Sequence, residues 1–287
     1  MKSEKSMVFL HPGNIGDCWA SIPAMREYYN HTGKKIKLYL VSGQNANYYD
    51  GAMHPTKDEK GINVMLNDKM IEMMIPLLLK QPFIEEVKIW EQEKWDIDLG
   101  MIRDTDVGMP NFSINRWYFY VWADLACDLS EVWLEVPDAE KDFAKGKILI
   151  TRSERYLNEN ADYSFLKPYE DDILFAGTMR EYNVFCMGFD LNIRKLNVNN
   201  FLELAQAIKQ CKFHMTNQTQ AFQLSEGQKT PRILELCRYA PNCVPIGKKA
   251  FDFFNQTALE YYFHKLNGDL DPHMAKMKKT LLIKEGS

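Results

Sequence analysis

The sequence predicts an α/β protein made of two Rossmann-like halves, each a parallel sheet flanked by helices, with a helix at the C-terminus. Twice along the chain, short apolar runs alternate with stretches of helical spacing, which is typical of doubly wound parallel sheets. Between the two series, residues 136–147 are rich in charged and turn-forming residues and predict a linker. The length, 287 residues of which 46% are apolar, allows two cores of ordinary size. We therefore expect domains at 1–140 and 146–250, and a helical tail at 251–287.

The first half begins with an apolar run at 7–10, a turn-rich loop at 11–17 and helical spacing at 19–29. Because a proline inside a helix removes a backbone hydrogen bond, Pro23 is expected in the first turn of this helix or at a kink. The remaining predicted elements are a strand at 35–41, a helix at 65–79, strands at 86–90 and 95–99, and an aromatic-rich helix at 114–126.

The second half repeats this alternation after the linker. Apolar runs at 173–177 and 184–188 each end in glycine, and a helix at 201–208 is expected to be capped by Asn199 or Asn200. The other predicted elements are strands at 148–150, 213–215 and 244–247, a helix at 231–237 and a terminal helix at 252–266.

Composition and charge argue against several classes of protein. The formal charge of −4 does not favour a protein coated along nucleic acid, and no apolar run approaches the roughly 20 residues that a membrane-spanning helix needs. The N-terminal residues lack the apolar stretch of a signal peptide. The six cysteines form no Cys-x-x-Cys pair and most lie in apolar stretches, which indicates reduced thiols and a cytoplasmic protein. The six histidines show no metal-ligand spacing, so no metal site is expected.

In a parallel sheet, ligands bind at the carboxyl ends of the strands, so the loops that follow strands are the candidate sites. The first such loop contains Gly13, Asn14, Gly16 and Asp17. It lacks the first glycine of the Gly-x-Gly-x-x-Gly fingerprint, and the second strand does not end in an acidic residue, so a nicotinamide-dependent oxidoreductase is not favoured. Asp17, at the start of a helix, is either an N-cap or a general base directed into a cleft between the halves.

Two further loops, both in the second half, carry groups that bind phosphate. Arginine side chains bind phosphate bidentately, and the backbone amides at a helix start favour a diphosphate. Each loop also has a purely structural interpretation. The first loop would be a surface cluster of salt bridges around Glu154, and the second would be a solvated turn with a helix cap. The residues concerned are Thr151, Arg152, Ser153 and Arg155 in the first loop, and Asn217, Gln218 and Thr219 in the second.

The order of these segments resembles that of a known family. Residues 10–28, with the run Gly13-Asn14-Ile15-Gly16-Asp17 and Pro23, resemble the opening loop and helix of heptosyltransferase-like glycosyltransferases, which have the two-domain GT-B fold. Segments similar to that family's donor-binding half lie at 184–188, 201–208, 215–219, 224–226 and 231–235. The likeness covers most of the chain in order.

The resemblance implies transfer of a sugar from a nucleoside-diphosphate sugar to an acceptor hydroxyl, with inversion and without metal or other cofactor, in the cleft between the domains. The family's catalytic base falls on Asp17. Glu235 would hold ribose hydroxyls, or else be a charge on a helix surface. The terminal helix is expected to pack back across the first domain. The implied donor-binding positions are Arg152, Ser153, Arg155, Gly188, Asn217, Gln218, Thr219 and Glu235, with Gly13, Asn14 and Gly16 in the loop at the cleft.

The chain departs from the family pattern at three glutamines. Gln218 and Gln220 replace the first and third residues of the family's Asp-Ser/Thr-Gly loop, and Gln223 stands where the family has histidine. These departures favour a different hypothesis, a non-catalytic nucleotide-sugar-binding protein with a degenerate glycosyltransferase fold.

A metal-dependent transferase and a transferase that modifies nucleic-acid bases also stay open as hypotheses. The first would use an Asp-x-Asp pair, and the second would use a basic tail with stacking aromatic residues. The acceptor that carries the hydroxyl is therefore expected to be a glycan, a lipid-linked glycan or a modified nucleic acid. The residues that motivate these two hypotheses are Asp96 with Asp98, Asp104 with Asp106, Asp269 with Asp271, the lysines Lys276, Lys278 and Lys279, and the aromatic residues Trp117, Tyr118, Tyr120 and Trp122.

Overall fold

The computed structural model describes residues 6–46, 56–104 and 113–270 and contains two parallel β-sheets with helices packed on them. A four-stranded sheet is built from the first half of the chain and a six-stranded sheet from the second. The predicted α/β class is therefore confirmed. No helix within the described ranges is long and apolar enough to cross a bilayer.

The first sheet has the strand order β3-β2-β1-β4, and all its strand pairs are parallel. Gly33, with a left-handed φ of 70°, ends α1, and the Asn67 side chain caps α2 by accepting the Met70 N–H at 2.9 Å. Pro23 lies in the interior of α1 and not in its first turn. The elements are β1 (Met7–His11), α1 (Ile15–Thr32), β2 (Ile36–Leu40), α2 (Asp68–Leu78), β3 (Ile84–Ile89), β4 (Ile97–Asp98), a 3₁₀ helix (Leu99–Arg103) and α3 (Ile114–Val121).

The second sheet has the order β10-β9-β8-β5-β6-β7 and is also parallel throughout. Asn200 caps α5, as one of the two predicted candidates, by accepting the Glu203 N–H at 3.0 Å. The elements are β5 (Ile148–Thr151), a 3₁₀ helix (Ser164–Asp172), β6 (Ile173–Ala176), α4 (Met179–Gly188), β7 (Arg194–Leu196), α5 (Phe201–Gln210), β8 (Phe213–Asn217), α6 (Gln220–Gln228), β9 (Arg232–Glu235), β10 (Ala250–Phe253) and α7 (Gln256–Asn267).

Two predicted elements of the second half are wrong. The expected helix at 231–237 is the strand β9, and the expected strand at 244–247 is irregular, since the last strand is β10. All four residues of β9 are buried because both faces of a parallel sheet are covered, so alternation is lost and the run does not look like a strand in sequence. In the first half, β4 has only two residues, and α3 ends at Val121.

The two sheets are joined by direct packing between their helices. Helix α1 packs on α6 and α2 packs on α5, and one continuous apolar cluster contains residues of both halves. The rings of Trp19 and Phe201 lie 5.9 Å apart across this junction. A buried hydrogen bond, 2.9 Å long, joins the Asn115 amide nitrogen in α3 to the Gln223 amide oxygen in α6. The two halves are therefore in close contact along α1, α3 and α6.

The terminal helix packs on the second half. Helix α7 lies against β9 and β10, and the Phe263 ring contacts Phe213 at 5.5 Å and Tyr169 at 4.9 Å between ring centroids. The expected return of the tail across the first domain is thus not made by α7, and residues 271–287 lie outside the described residues.

We predict that Gly227→Ala destabilises the protein by about 1–3 kcal/mol because the added methyl group has no room. A Cβ on Gly227 would lie 2.6 Å from Leu134 Cβ and 2.7 Å from the Trp133 ring. The measurement is the free energy of unfolding in denaturant.

The matched control is Gly188→Ala, also in a helix, where a Cβ meets no described heavy atom within 4 Å. It should be neutral or stabilise by up to about 1 kcal/mol. Equal effects of the two substitutions would contradict the packing of residues 133–134 on α6.

Candidate functional site

The loop after β1 and the start of α6 lie next to each other, so that the two halves meet at the predicted loops. A Cβ on Gly16 would lie 4.0 Å from the Cα of Gln220, the first residue of α6. The loop follows the carboxyl end of β1, and α6 follows the carboxyl end of β8. Two of the three predicted loops are therefore brought together across the junction.

Asp17 is buried in the first turn of α1, and its carboxylate is bound by groups of its own half. Oδ2 accepts the Asn14 N–H at 3.1 Å and forms an ion pair with Arg103 Nη2 at 2.5 Å. Asn14 is the N-cap residue, so the expectation that Asp17 is the N-cap is wrong by three positions. Gly13 is required beside it, because a Cβ there would lie 2.8 Å from Oδ2.

His11 and Tyr118 form hydrogen bonds with this loop. From the sequence, Tyr118 is named only as a possible base-stacking residue, and His11 has no predicted role. The Tyr118 hydroxyl donates to the Asp17 carbonyl at 3.1 Å and lies 3.2 Å from His11 Nε2. The Gly13 N–H donates to His11 Nδ1 at 3.1 Å, which assigns the proton to Nε2 in the neutral ring. Burial lowers the pKa of His11 to about 4, so the ring is neutral at pH 7. His11 is thus a structural acceptor and donor in the loop.

Arg152 and Glu235 bind each other at the carboxyl edge of the second sheet. Arg152 donates from Nε at 2.6 Å and from Nη2 at 2.9 Å to the two Glu235 oxygens. The Tyr163 hydroxyl and the Asn158 N–H donate to the same carboxylate at 2.8 and 2.6 Å. Glu235 is fully buried at the end of β9, which excludes a charge on a helix surface. A ribose would reach this carboxylate only after the ion pair opened.

The amide side chains of Asn217 and Gln218 shape the neighbouring loops. Asn217 accepts the Ser153 N–H at 3.1 Å and donates to the Arg155 carbonyl at 2.6 Å. Gln218 accepts the Cys237 N–H at 2.7 Å and donates to the Ala240 carbonyl at 2.6 Å. These bonds hold the loops after β5 and β9 against the end of β8. The departure from the family at Gln218 therefore has a structural consequence in this chain.

Thr219 caps α6, and a chain of buried polar groups leads to it. Its hydroxyl oxygen accepts the Ala221 N–H at 3.2 Å and lies 3.3 Å from the Thr216 hydroxyl. Thr151 lies 2.9 Å from both Thr216 Oγ1 and His214 Nε2. Burial lowers the pKa of His214 to about 3, so its ring is neutral. The N–H groups at the start of α6 give this end of the helix a partial positive charge.

The remaining predicted residues are accessible at least in part. Ser153 is partly exposed, and Arg155 is partly exposed with its guanidinium carbon 5.0 Å from the Tyr156 ring. Gly188 is the exposed last residue of α4, and it precedes Phe189, whose ring lies 5.6 Å from the Arg152 guanidinium carbon. Ser153 and Arg155 are thus more accessible than Glu235, which is fully buried in its pair with Arg152.

Within the described ranges, no group of three or more His, Cys, Asp or Glu side chains is arranged to hold a metal ion. Of the three acidic pairs, Asp96 accepts the Val8 N–H at 2.9 Å and Asp98 accepts the Gly100 N–H at 2.7 Å. Asp106 and Asp271, which complete the other two pairs, lie outside the described residues. The carboxylates of the first pair, Asp96 and Asp98, therefore accept hydrogen bonds from backbone N–H groups of the first half.

We predict that the two buried histidines make the protein lose stability in acid. Their pKa values in the folded state, about 4 and about 3, lie below the ordinary value of 6.5, so the unfolded chain binds more protons as the pH falls below about 6.5. Each histidine should lower the free energy of unfolding by up to about 1.4 kcal/mol per pH unit between pH 6.5 and 4.

The measurement is denaturant unfolding across this pH range. His214→Gln should flatten the dependence, with His31→Gln, which replaces an exposed histidine, as the matched variant. The same slope in the wild type and in His214→Gln would contradict the burial of a neutral His214.

No protein-family model and no curated protein matches the sequence. Solved structures do match the fold. The E. coli ADP-heptose LPS heptosyltransferase II aligns over 98% of this chain and 100% of its own, with a TM-score of 0.58 and 12% identity. E. coli heptosyltransferase WaaC with ADP aligns over 92% of this chain and 100% of its own, with a TM-score of 0.55 and 10% identity. A glycosyl transferase of family 9 from Veillonella parvula DSM 2008 aligns over 94% of this chain and 90% of its own, with a TM-score of 0.54 and 10% identity. The chain thus has the GT-B fold of these heptosyltransferase-like glycosyltransferases.

Proposed function

We propose that this chain is a glycosyltransferase that moves a sugar from a nucleoside-diphosphate sugar to an acceptor hydroxyl. One observation carries the proposal: in a chain with the fold of heptosyltransferases, the loop that contains Asp17 lies against the start of α6, across the junction of the two halves. This contact brings the loop that carries a proton acceptor, Asp17, to a helix N-terminus, which is a diphosphate-binding group. One of the matched structures, heptosyltransferase WaaC, was solved with ADP.

In this proposal the second half, residues 146–250, binds the donor. Arg155, Ser153 and the capped start of α6 at Thr219 contact the diphosphate, since guanidinium and backbone N–H groups are strong phosphate ligands. Asn217 and Gln218 hold these loops in position. The remaining donor-binding assignments, Arg152, Gly188 and Glu235, stay proposals, and the Glu235 carboxylate would have to give up Arg152 in order to bind a ribose.

The reaction proposed is a single displacement with inversion at the anomeric carbon. The acceptor oxygen forms a bond to that carbon while the bond to the diphosphate oxygen breaks, and the electron pair of the broken bond leaves with the diphosphate. Asp17 takes the acceptor proton, which contributes roughly 10²–10⁴-fold. Positive groups fixed around the leaving diphosphate stabilise its charge, so we propose that neither a metal nor another cofactor is needed.

The first half, residues 1–140, is proposed to hold the acceptor, a glycan, a lipid-linked glycan or a modified nucleic acid. The last of these is weakened, because two of the four aromatic residues that motivated it, Trp117 and Tyr118, are buried in the core and cannot stack on bases. The lysines at 276, 278 and 279 lie outside the described residues. All six cysteines are free thiols, which agrees with the proposal of a cytoplasmic protein.

A second candidate function is binding of a nucleotide sugar without catalysis. The observation that favours it is the number of predicted site groups already bound within the chain: Arg152 to Glu235, and Asp17 to Arg103. Gln223, which replaces the family's histidine, is bound to Asn115. Groups held in this way stabilise the fold and would have to exchange partners in order to react.

We predict that one class of nucleoside diphosphate, or its sugar conjugate, raises the unfolding temperature in a thermal-shift panel. Ligand that binds the native state stabilises it by RT ln(1 + [L]/Kd), so donor binding is detected without knowledge of the acceptor. The same shift is expected with EDTA and with added Mg²⁺. No stabilisation by any member of the panel would contradict both candidate functions, and a shift abolished by EDTA would contradict a metal-free site.

We predict that Asp17→Asn lowers turnover about 10²–10⁴-fold and does not weaken donor binding. Asparagine retains an oxygen that can accept the Asn14 N–H, so the start of α1 is preserved. The measurements are transfer rate and donor-induced thermal shift. Asp96→Asn, which changes another hydrogen-bonded carboxylate of the first half, is the matched control with normal turnover. Donor binding by a wild type that transfers sugar to no acceptor, water included, would favour the non-catalytic function.

A further inference from the structure

Arg103 covers the carboxylate on which the proposed reaction depends. It is the last residue of the 3₁₀ helix Leu99–Arg103, and its Nη2 lies 2.5 Å from Asp17 Oδ2. This helix is fixed to the loop after β1, since a Cβ on Gly100 would lie 2.6 Å from the Pro12 ring. The ion pair therefore joins two segments that already pack together, and it closes the carboxylate from one side.

The two partners of this ion pair differ in exposure. The Arg103 side chain is 48% exposed, whereas that of Asp17 is 11% exposed. An ion pair with one half-exposed member contributes little net stability, because water readily replaces the lost partner of the exposed group. Asp17 also keeps the Asn14 N–H when Arg103 leaves. Of the two, Arg103 is thus the group that can change partners at low cost.

A stronger partner for Arg103 would bind close by. Gly16, which precedes Asp17, lies against the start of α6, where the proposed donor diphosphate binds. A diphosphate carries more negative charge than one carboxylate and offers several oxygens to the planar guanidinium. Oδ2, for its part, already accepts two donors and is poorly placed to take a proton from an acceptor hydroxyl while Arg103 remains.

We infer that Arg103 is a donor-binding residue held by Asp17, and that its guanidinium leaves the Asp17 carboxylate for the diphosphate of the bound donor. This inference rests on the proposed function. The exchange releases Oδ2 when the donor is in place, so that a bound donor makes both oxygens of the Asp17 carboxylate available to the acceptor hydroxyl. Asp17 and the donor thus compete for one cation.

The test is a double-mutant cycle on binding of a nucleoside diphosphate, measured by isothermal titration with the nucleotide found in the thermal-shift panel. Arg103→Met should weaken binding at least about tenfold, because a charge-assisted contact is lost. Asp17→Asn should tighten binding about fivefold, because Arg103 is released from its competitor. The double variant should bind like Arg103→Met alone, since the effect of Asp17 acts through Arg103.

Two further variants keep the result independent of folding. Arg103→Lys retains the charge and should recover part of the affinity, and Lys37→Met, which removes a partly exposed ion pair with Glu86 in the same half, should leave binding unchanged. Weaker or unchanged binding by Asp17→Asn, or additive effects in the double variant, would overturn the inference while the proposed function stands. A wild type that binds no nucleoside diphosphate would overturn the proposed function and this inference with it.

Discussion

The contact between α1 and α6 is the constraint on which the rest of the molecule depends. It sets the loop after β1 against the first residue of α6, and it is reinforced by the buried Asn115–Gln223 hydrogen bond and by Trp19 against Phe201. A buried amide pair is costly to separate, because each amide would lose its partner without gaining water. The relative position of the two sheets at the candidate site is therefore determined by packing and by polar groups together.

Buried charges in the second half are neutralised inside the protein. Arg152 and Glu235 form a bidentate pair, and Glu226, in the last turn of α6, binds both Arg232 and Lys229. Removing one partner of such a pair leaves an uncompensated buried charge, so these groups fix the loops that they connect. Arg155, which is partly exposed, and Arg103, whose side chain is 48% exposed, are more accessible than these buried groups.

Local sequence signals predicted much of the fold and the loops that form the candidate site. Strand β1, its loop and the cap of α5 at Asn200 follow from apolar periodicity and turn chemistry, which act over a few residues. Strand β9 does not follow from such signals, because all four of its residues are buried and it begins and ends with a charged residue, Arg232 and Glu235, at the i, i+3 spacing that is typical of one helix face. The contacts of Asp17 with Arg103 and Tyr118 span 86 and 101 residues. Pairs so distant leave no periodic pattern in a single sequence, and only the fold brings them together.

The apolar cluster that runs from the first half into the second has a thermodynamic consequence. If the two halves had separate cores, each half could unfold on its own. Because they share one core, unfolding of one half removes apolar contacts that stabilise the other half. The protein should behave as one cooperative unit, in which a nucleotide bound at the candidate site slows amide exchange throughout both halves, far from the nucleotide itself.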